Sequence, residues 1–208
     1  GSWTATRRAH AEVNPMMSVK VVILCFVVLG MVAGSARAAN PVVLVETNLG
    51  TFKVELFEDK APVTVKNFLQ YVEDKHYDGT IFHRVISDFM IQGGGFEPGM
   101  KEKKSRDPIK NESSNGLSNL KGTLAMARTG EPNSATAQWY VNVKDNNFLD
   151  KAKARDGVGY CVFGRVIEGL DVIEKIKGVE TDTVKGFENV PSKDVVIKSV
   201  KLEKAEKK

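Results

Sequence analysis

Residues 42–45 form a short apolar run, Asn48, Leu49 and Gly50 interrupt it, and Phe52, Val54 and Leu56 then alternate with Thr51, Lys53 and Glu55. A period of two with one apolar face predicts a β-hairpin buried on that face. Pro62 follows at a position that a first helical turn tolerates, and Val65, Phe68, Leu69 and Val72 fall at i, i+3, i+4 and i+7. That spacing predicts an amphipathic helix ending near residues 76–79. Further strands are expected at 81–86, 89–92, 123–128, 138–143, 160–167 and 195–202, and a second helix at 170–177 with Gly178 as its stop.

Many short strands, two helices and no regular βα alternation do not describe a doubly wound sheet. They predict a mainly β fold, a closed eight-stranded antiparallel β-barrel capped by two α-helices. The strands carry bulky Phe, Ile, Leu and Val, so the interior should be filled by side chains, unlike a hollow small-ligand barrel of the lipocalin kind. Residues 95–122, rich in Lys, Glu, Asn, Ser and Gly without clear periodicity, read as a functional loop or a surface insertion. Residues 39–203 show no repeat or linker and are expected to form one domain, with 204–208 as a polar tail.

Composition changes this picture only near the N-terminus. The 208 residues are 42% hydrophobic and 27% charged, as in ordinary globular proteins. A formal charge of +4 invites a polyanion partner until its location is considered. Arg7, Arg8, Lys20 and Arg37 lie in the first 39 residues with one acid, Glu12, and the rest of the chain carries a net charge of only +1. No nucleic-acid partner is expected. Gly1-Ser2 reads as a cloning remnant and Met16-Met17 as a natural start, while Lys20, the apolar run 21–34 and Ala36-Arg37-Ala38 have the layout of a secretory signal cleaved after Ala38. Only 16 residues separate Lys20 from Arg37, fewer than the roughly 20 needed to cross a bilayer, so residues 1–38 are not expected to remain as a membrane span. The protein is expected to be exported, to the periplasm of a Gram-negative cell or otherwise secreted, and to be a monomer, since no apolar surface stripe demands a partner. Cys25 leaves with the signal. Cys161, among Tyr160, Val162 and Phe163, is expected to be a buried small hydrophobe with no disulfide partner.

Several motifs fail on inspection. Gly93-Gly94-Gly95 precedes no Lys-Ser/Thr pair and opens no helix, so these glycines are read as permitting an unusual backbone beside a groove rather than as a phosphate cradle. His76 and His83 have no Cys or carboxylate cluster at ligand spacing, and residues 145–156 have Asp150 where a calcium loop needs Gly. Neither a metal nor a cofactor is expected. Asn111-Glu112-Ser113 fits a glycosylation sequon, relevant only where the source glycosylates secreted proteins.

The run Phe82-His83-Arg84-Val85-Ile86-Ser87-Asp88-Phe89-Met90-Ile91-Gln92-Gly93-Gly94-Gly95-Phe96 resembles the signature of the cyclophilins, peptidyl-prolyl cis/trans isomerases. The stretches 122–128, 133–138, 148–150 and 160–164 agree with it in order and spacing, so the resemblance covers residues 41–203, and the loop through Pro108-Ile109-Lys110-Asn111-Glu112 resembles the bacterial periplasmic branch. The resemblance implies a cofactor-free isomerase of X-Pro bonds in Pro-containing polypeptides. Arg84 then matches the catalytic arginine, and Gln92 a glutamine that bonds the substrate backbone near the rotating bond. Phe89, Met90, Tyr140 and Leu149 match the proline pocket, and Ala127, Arg128 and Gln138 the adjacent peptide groove. Tyr160 stands where many eukaryotic members carry His.

Three departures limit that transfer. Ser87-Asp88 replaces the usual Pro-Gly, and Trp139-Tyr140 the usual Phe-Phe, which brings to the pocket a hydroxyl that must find a partner or cost on the order of 1 to 3 kcal/mol. Phe148 stands where cyclosporin-sensitive members have Trp, which removes an indole N–H donor and implies weak cyclosporin binding. The competing expectation is a non-catalytic chaperone or scaffold on the same fold that grips proline segments without rotating them, with Tyr140 as the residue that favours it.

Overall fold

The hairpin expected at 42–56 forms as β1 (Val42–Thr47) and β2 (Gly50–Leu56), with Val43 opposite Val54 and Val45 opposite Phe52. These four side chains point into the core, which is the period of two read from the sequence. Gly50 takes φ 136°, and a Cβ there would lie 2.7 Å from a methyl of Val172, so the turn has room for no larger residue. A computed structural model describes residues 39–203. The secretory signal expected at 1–38 and the tail at 204–208 lie outside the described residues.

Helix α1 (Pro62–Glu73) has proline at its start and buries Val65, Phe68 and Val72 with Thr64 and Tyr71. Its N-cap, Ala61, supplies no side-chain acceptor. Glu112 does so from the loop that was expected to be functional or inserted. One carboxylate oxygen accepts the Val63 N–H at 3.2 Å, and the other accepts the Thr64 N–H at 2.8 Å and the Thr64 hydroxyl at 2.7 Å. An acidic group at orphan N–H donors also complements the helix dipole.

Next come β3 (Phe82–Ile86), β4 (Met90–Gly93), β5 (Phe96–Glu97), β6 (Lys101–Glu102), β7 (Thr123–Met126) and β8 (Trp139–Asn142). A single 3₁₀ turn at Asn147–Leu149 precedes β9 (Val162–Glu168), α2 (Leu170–Lys177), β10 (Thr181–Val184), β11 (Phe187–Pro191) and β12 (Ile197–Leu202). Eight strands form one antiparallel sheet in the order β12-β1-β2-β9-β7-β8-β4-β3. The pairs β5-β6 and β10-β11, not anticipated from the sequence, form two small sheets of their own.

The fold is mainly β with two helices, but the expected closure of the barrel needs correction. β3 and β12 share no ladder, and the sheet is an open half-barrel. The chain that meets β12 leaves a turn at Gly79 (φ 80°). It contributes only one bridge, Ile81 with Val196, and scattered bonds such as Phe82 N–H to the Val195 carbonyl at 2.9 Å.

The interior is filled, as the strand composition predicts. Trp139 is fully buried, with Phe82, Phe68 and Tyr77 meeting it edge-on at 5.6, 6.0 and 6.2 Å between ring centres. Both helices add their apolar faces to this cluster through Val65, Phe68, Val172 and Ile176. A second cluster, built on Met90, Ala125, Tyr140, Leu149 and Val162, lies on the other face of the same strands.

The Glu112 cap yields a test. Glu112→Ala leaves two helix N–H groups and a hydroxyl without their acceptor and should cost about 2 kcal/mol in urea unfolding. A loss below about 0.5 kcal/mol would show that water replaces the carboxylate.

Candidate active site

Four strands present alternate residues to the outer face of the sheet. On β4 Ile91 faces the core while Met90 and Gln92 face outward, and on β8 Trp139 and Val141 face inward while Tyr140 faces outward. Arg84 of β3 stands opposite Gln92 across the hairpin, and Ile86 opposite Met90. The turn at Ser87-Asp88 closes with the Phe89 N–H bonded to the Ile86 carbonyl at 3.0 Å, so replacement of the expected Pro-Gly leaves a hydrogen-bonded turn.

These elements surround a pocket of about 240 Å³ lined by Arg84, Phe89, Met90, Gln92, Ala127, Arg128, Tyr140, Leu149 and Tyr160. Nine of the eleven residues singled out from the sequence therefore meet at one place. Arg84 is exposed and its side chain makes no hydrogen bond or ion pair among the described residues, so its guanidinium is available to a ligand.

Gln138 and Phe148 stand outside the pocket. The Gln138 side-chain carbonyl accepts the Gln92 carboxamide N–H at 2.8 Å and fixes the orientation of Gln92. Its side chain fits only because residue 95 is glycine, where a Cβ would approach it to 2.6 Å. Phe148 is 55% exposed, with its ring stacked on Phe89 at 5.8 Å, and it lines a neighbouring open groove with Leu149 and Tyr160.

Arg128 touches the pocket with each of its three guanidinium nitrogens already donating to the protein. Its Nε donates to the Gly159 carbonyl at 3.1 Å, one terminal nitrogen donates to the Thr129 carbonyl at 3.0 Å, and the other pairs with Asp156. Its guanidinium lies 4.4 Å above the Tyr160 ring. Arg128, followed by the backbone N–H groups of Val158 and Gly159, lowers the Asp156 carboxyl to about 2. Arg128 thus braces the Tyr160 wall, a role its sequence position did not reveal.

The Tyr140 hydroxyl finds its partner away from the pocket, donating to the Asn119 side-chain carbonyl at 2.9 Å. Burial pushes its pKa well above the ordinary tyrosine value. The loop that supplies Asn119 has no periodicity, and no signal in the sequence marks that residue. Cys161 is buried, as expected, and burial raises its thiol to about 11. It lies behind the pocket with an inert thiol.

A free cation on one rim, an apolar cup beneath it and a carboxamide held in place beside them can bind an apolar ring flanked by peptide groups. Among the described residues no nucleophile-base pair adjoins the cup, so the geometry suits a change of conformation better than a change of covalent bonds. Residues 42–202 match the family model described as cyclophilin type peptidyl-prolyl cis-trans isomerase/CLD. The chain belongs to the cyclophilins. It is similar to a peptidyl-prolyl cis-trans isomerase of Acinetobacter baylyi, 55% identical over 177 residues, 85% of this chain and 93% of the relative. It is also similar to peptidyl-prolyl cis-trans isomerase B of Escherichia coli, 57% identical over 155 residues, 74% of this chain and 94% of the relative. Among solved structures it resembles a Cryptosporidium parvum cyclophilin crystallised in the presence of the dipeptide Ala-Pro. That likeness has a TM-score of 0.68 and 27% identity, and it covers 78% of this chain and 99% of the other. The chain is a peptidyl-prolyl cis-trans isomerase of cyclophilin type.

Elsewhere in this cyclophilin, His83 is buried with its ring 4.6 Å from that of Phe96 and one ring nitrogen unpartnered. Burial is the main cause that lowers its pKa from 6.5 to about 4. The unfolded chain then binds a proton that the folded one refuses, so the stability held above pH 6.5 declines as pH falls toward 4. The full loss is about 3 kcal/mol. Urea unfolding of wild type and His83→Gln across this range should give a steeper decline for wild type, and equal slopes would refute the assignment.

Proposed function

We propose that the pocket holds the proline ring of an X-Pro segment against Met90, Tyr140, Leu149 and Phe89, with Arg84 and Gln92 engaging the peptide groups on either side. The observation that carries this is the unpaired Arg84 guanidinium at the rim of the apolar cup. Rotation about X-Pro crosses a barrier of roughly 20 kcal/mol because the nitrogen lone pair is delocalised into the carbonyl. At the transition state that lone pair is localised on a pyramidal nitrogen, and a cation beside it stabilises the twisted amide more than the planar one. A dry cup holds the ring while the flanking chain turns. The chemistry consumes no metal, cofactor or proton.

The non-catalytic reading drew its weight from the Tyr140 hydroxyl, and the bond to Asn119 removes that weight by leaving the apolar ring of Tyr140 to the pocket. The signal-like pattern at 1–38 supports action on exported chains, in the periplasm if the source is Gram-negative. Among the described residues no helix is long and apolar enough to cross a membrane. The proposed working form is a monomer.

In a protease-coupled assay on an Ala-Pro-Phe reporter peptide, Arg84→Ala should lower kcat/KM by about a hundredfold, near 3 kcal/mol. Binding of a proline peptide should stay within a few fold. Unchanged turnover would overturn the site assignment. Cyclosporin should bind weakly, and Phe148→Trp, by restoring an indole N–H at this exposed position, should tighten it about tenfold. An unchanged affinity would show that the groove beside Phe148, and not the missing donor, limits binding.

A further inference from the structure

Three fully buried asparagines lie beneath the pocket, Asn119, Asn142 and Asn146, and none belongs to the surface a substrate would touch. Buried carboxamides are costly unless their polar atoms are paired, so the destination of their bonds is informative. The Asn119 Oδ1 accepts the Tyr140 hydroxyl at 2.9 Å and the Asn142 carboxamide at 3.3 Å. Its Nδ2 donates to Asp150 Oδ1 at 3.0 Å and to the Tyr160 carbonyl at 3.5 Å. Its backbone N–H donates to the same Asp150 oxygen at 2.7 Å, and its carbonyl accepts the Asn146 N–H at 2.7 Å. Asn146 Nδ2 in turn donates to the Phe89 carbonyl at 2.8 Å, and the Asn146 backbone carbonyl accepts the Leu149 N–H at 2.9 Å.

The floor of the pocket at Tyr140, the wall at Phe89, the opposite wall at Leu149-Asp150 and the rim at Tyr160 are thus joined through one residue of the aperiodic loop. We propose that Asn119 is a positioning residue for the proline pocket, acting through Tyr140 and Asp150. The inference rests on the pocket assignment made above. Without the Asn119 carbonyl, the Tyr140 hydroxyl is a buried donor that has lost its acceptor, and the phenol that floors the pocket is no longer held in place. A floor free to shift weakens its contact with an apolar ring in ground and transition states alike, which raises KM and spares kcat. Arg84 is untouched.

The test measures kcat and KM on the Ala-Pro-Phe reporter for wild type, Asn119→Ala, Tyr140→Phe, the double variant and Arg84→Ala, with urea unfolding of each to establish that it is folded. Asn119→Ala should raise KM about tenfold with kcat within about threefold. In the Tyr140→Phe background the same substitution should raise KM about threefold or less, because no hydroxyl is left to orphan. If Asn119→Ala does not fold, Asn119→Ser, too short to reach the hydroxyl, is read in the same two backgrounds. A folded Asn119 variant with wild-type KM, or an equal penalty in both backgrounds, overturns the proposal. Full turnover by Arg84→Ala would instead overturn the pocket assignment, so the two failures are distinguishable.

Discussion

The structure depends on a single constraint, that β4, β7, β8 and β9 are covered on both faces. Their inward residues, among them Ile91, Leu124, Trp139, Val141 and Phe163, fill the interior, while Met90, Ala125, Tyr140 and Val162 build the outer cluster. Successive strand residues point to opposite faces, so one backbone register sets both populations. A slip of one residue in β8 would exchange Trp139 with Tyr140, filling the pocket with indole and putting a phenol in the core. Packing of the interior therefore fixes which strand residues face the pocket.

The two arginines at the pocket differ in what their surroundings leave them. The Arg128 side chain is 2% exposed, stacked on Tyr160 and paired with Asp156, and its charge is spent within the protein. Arg84, on an edge strand with no acid in contact among the described residues, keeps its charge for whatever enters. Residue type alone does not separate them. The distinction comes from Asp156, 28 residues along the chain from Arg128, and from the turn that returns Gly159 and Tyr160 to it.

This marks the boundary of what was legible in the sequence. The β1-β2 hairpin, α2 and its stop at Gly178, and the large sheet strands carry local periodicity and appear where the pattern puts them. The small β5-β6 and β10-β11 pairs do not, because their residues are mostly exposed and carry no alternating apolar face. The gathering of Arg84, Met90, Gln92, Tyr140 and Leu149 followed from a motif whose members share a face. Glu112 capping a helix 48 residues before it, and Asn119 bonding Tyr140 21 residues after it, are long-range pairings that leave no periodic trace. The open seam was hidden for the same reason, since strand patterns say which segments pair but not whether the last meets the first.

That seam bears on a hazard specific to an enzyme whose substrates are polypeptides. An open sheet has free edges, and a free edge is a template on which any extended chain can add as another strand. Here β11 lies against β3, Phe187 packs on Phe96, and the segment before β12 takes up the Phe82 N–H. The hairpin that the sequence did not announce thus covers that edge. With that edge covered, the backbone of the sheet offers an extended chain less to pair with there.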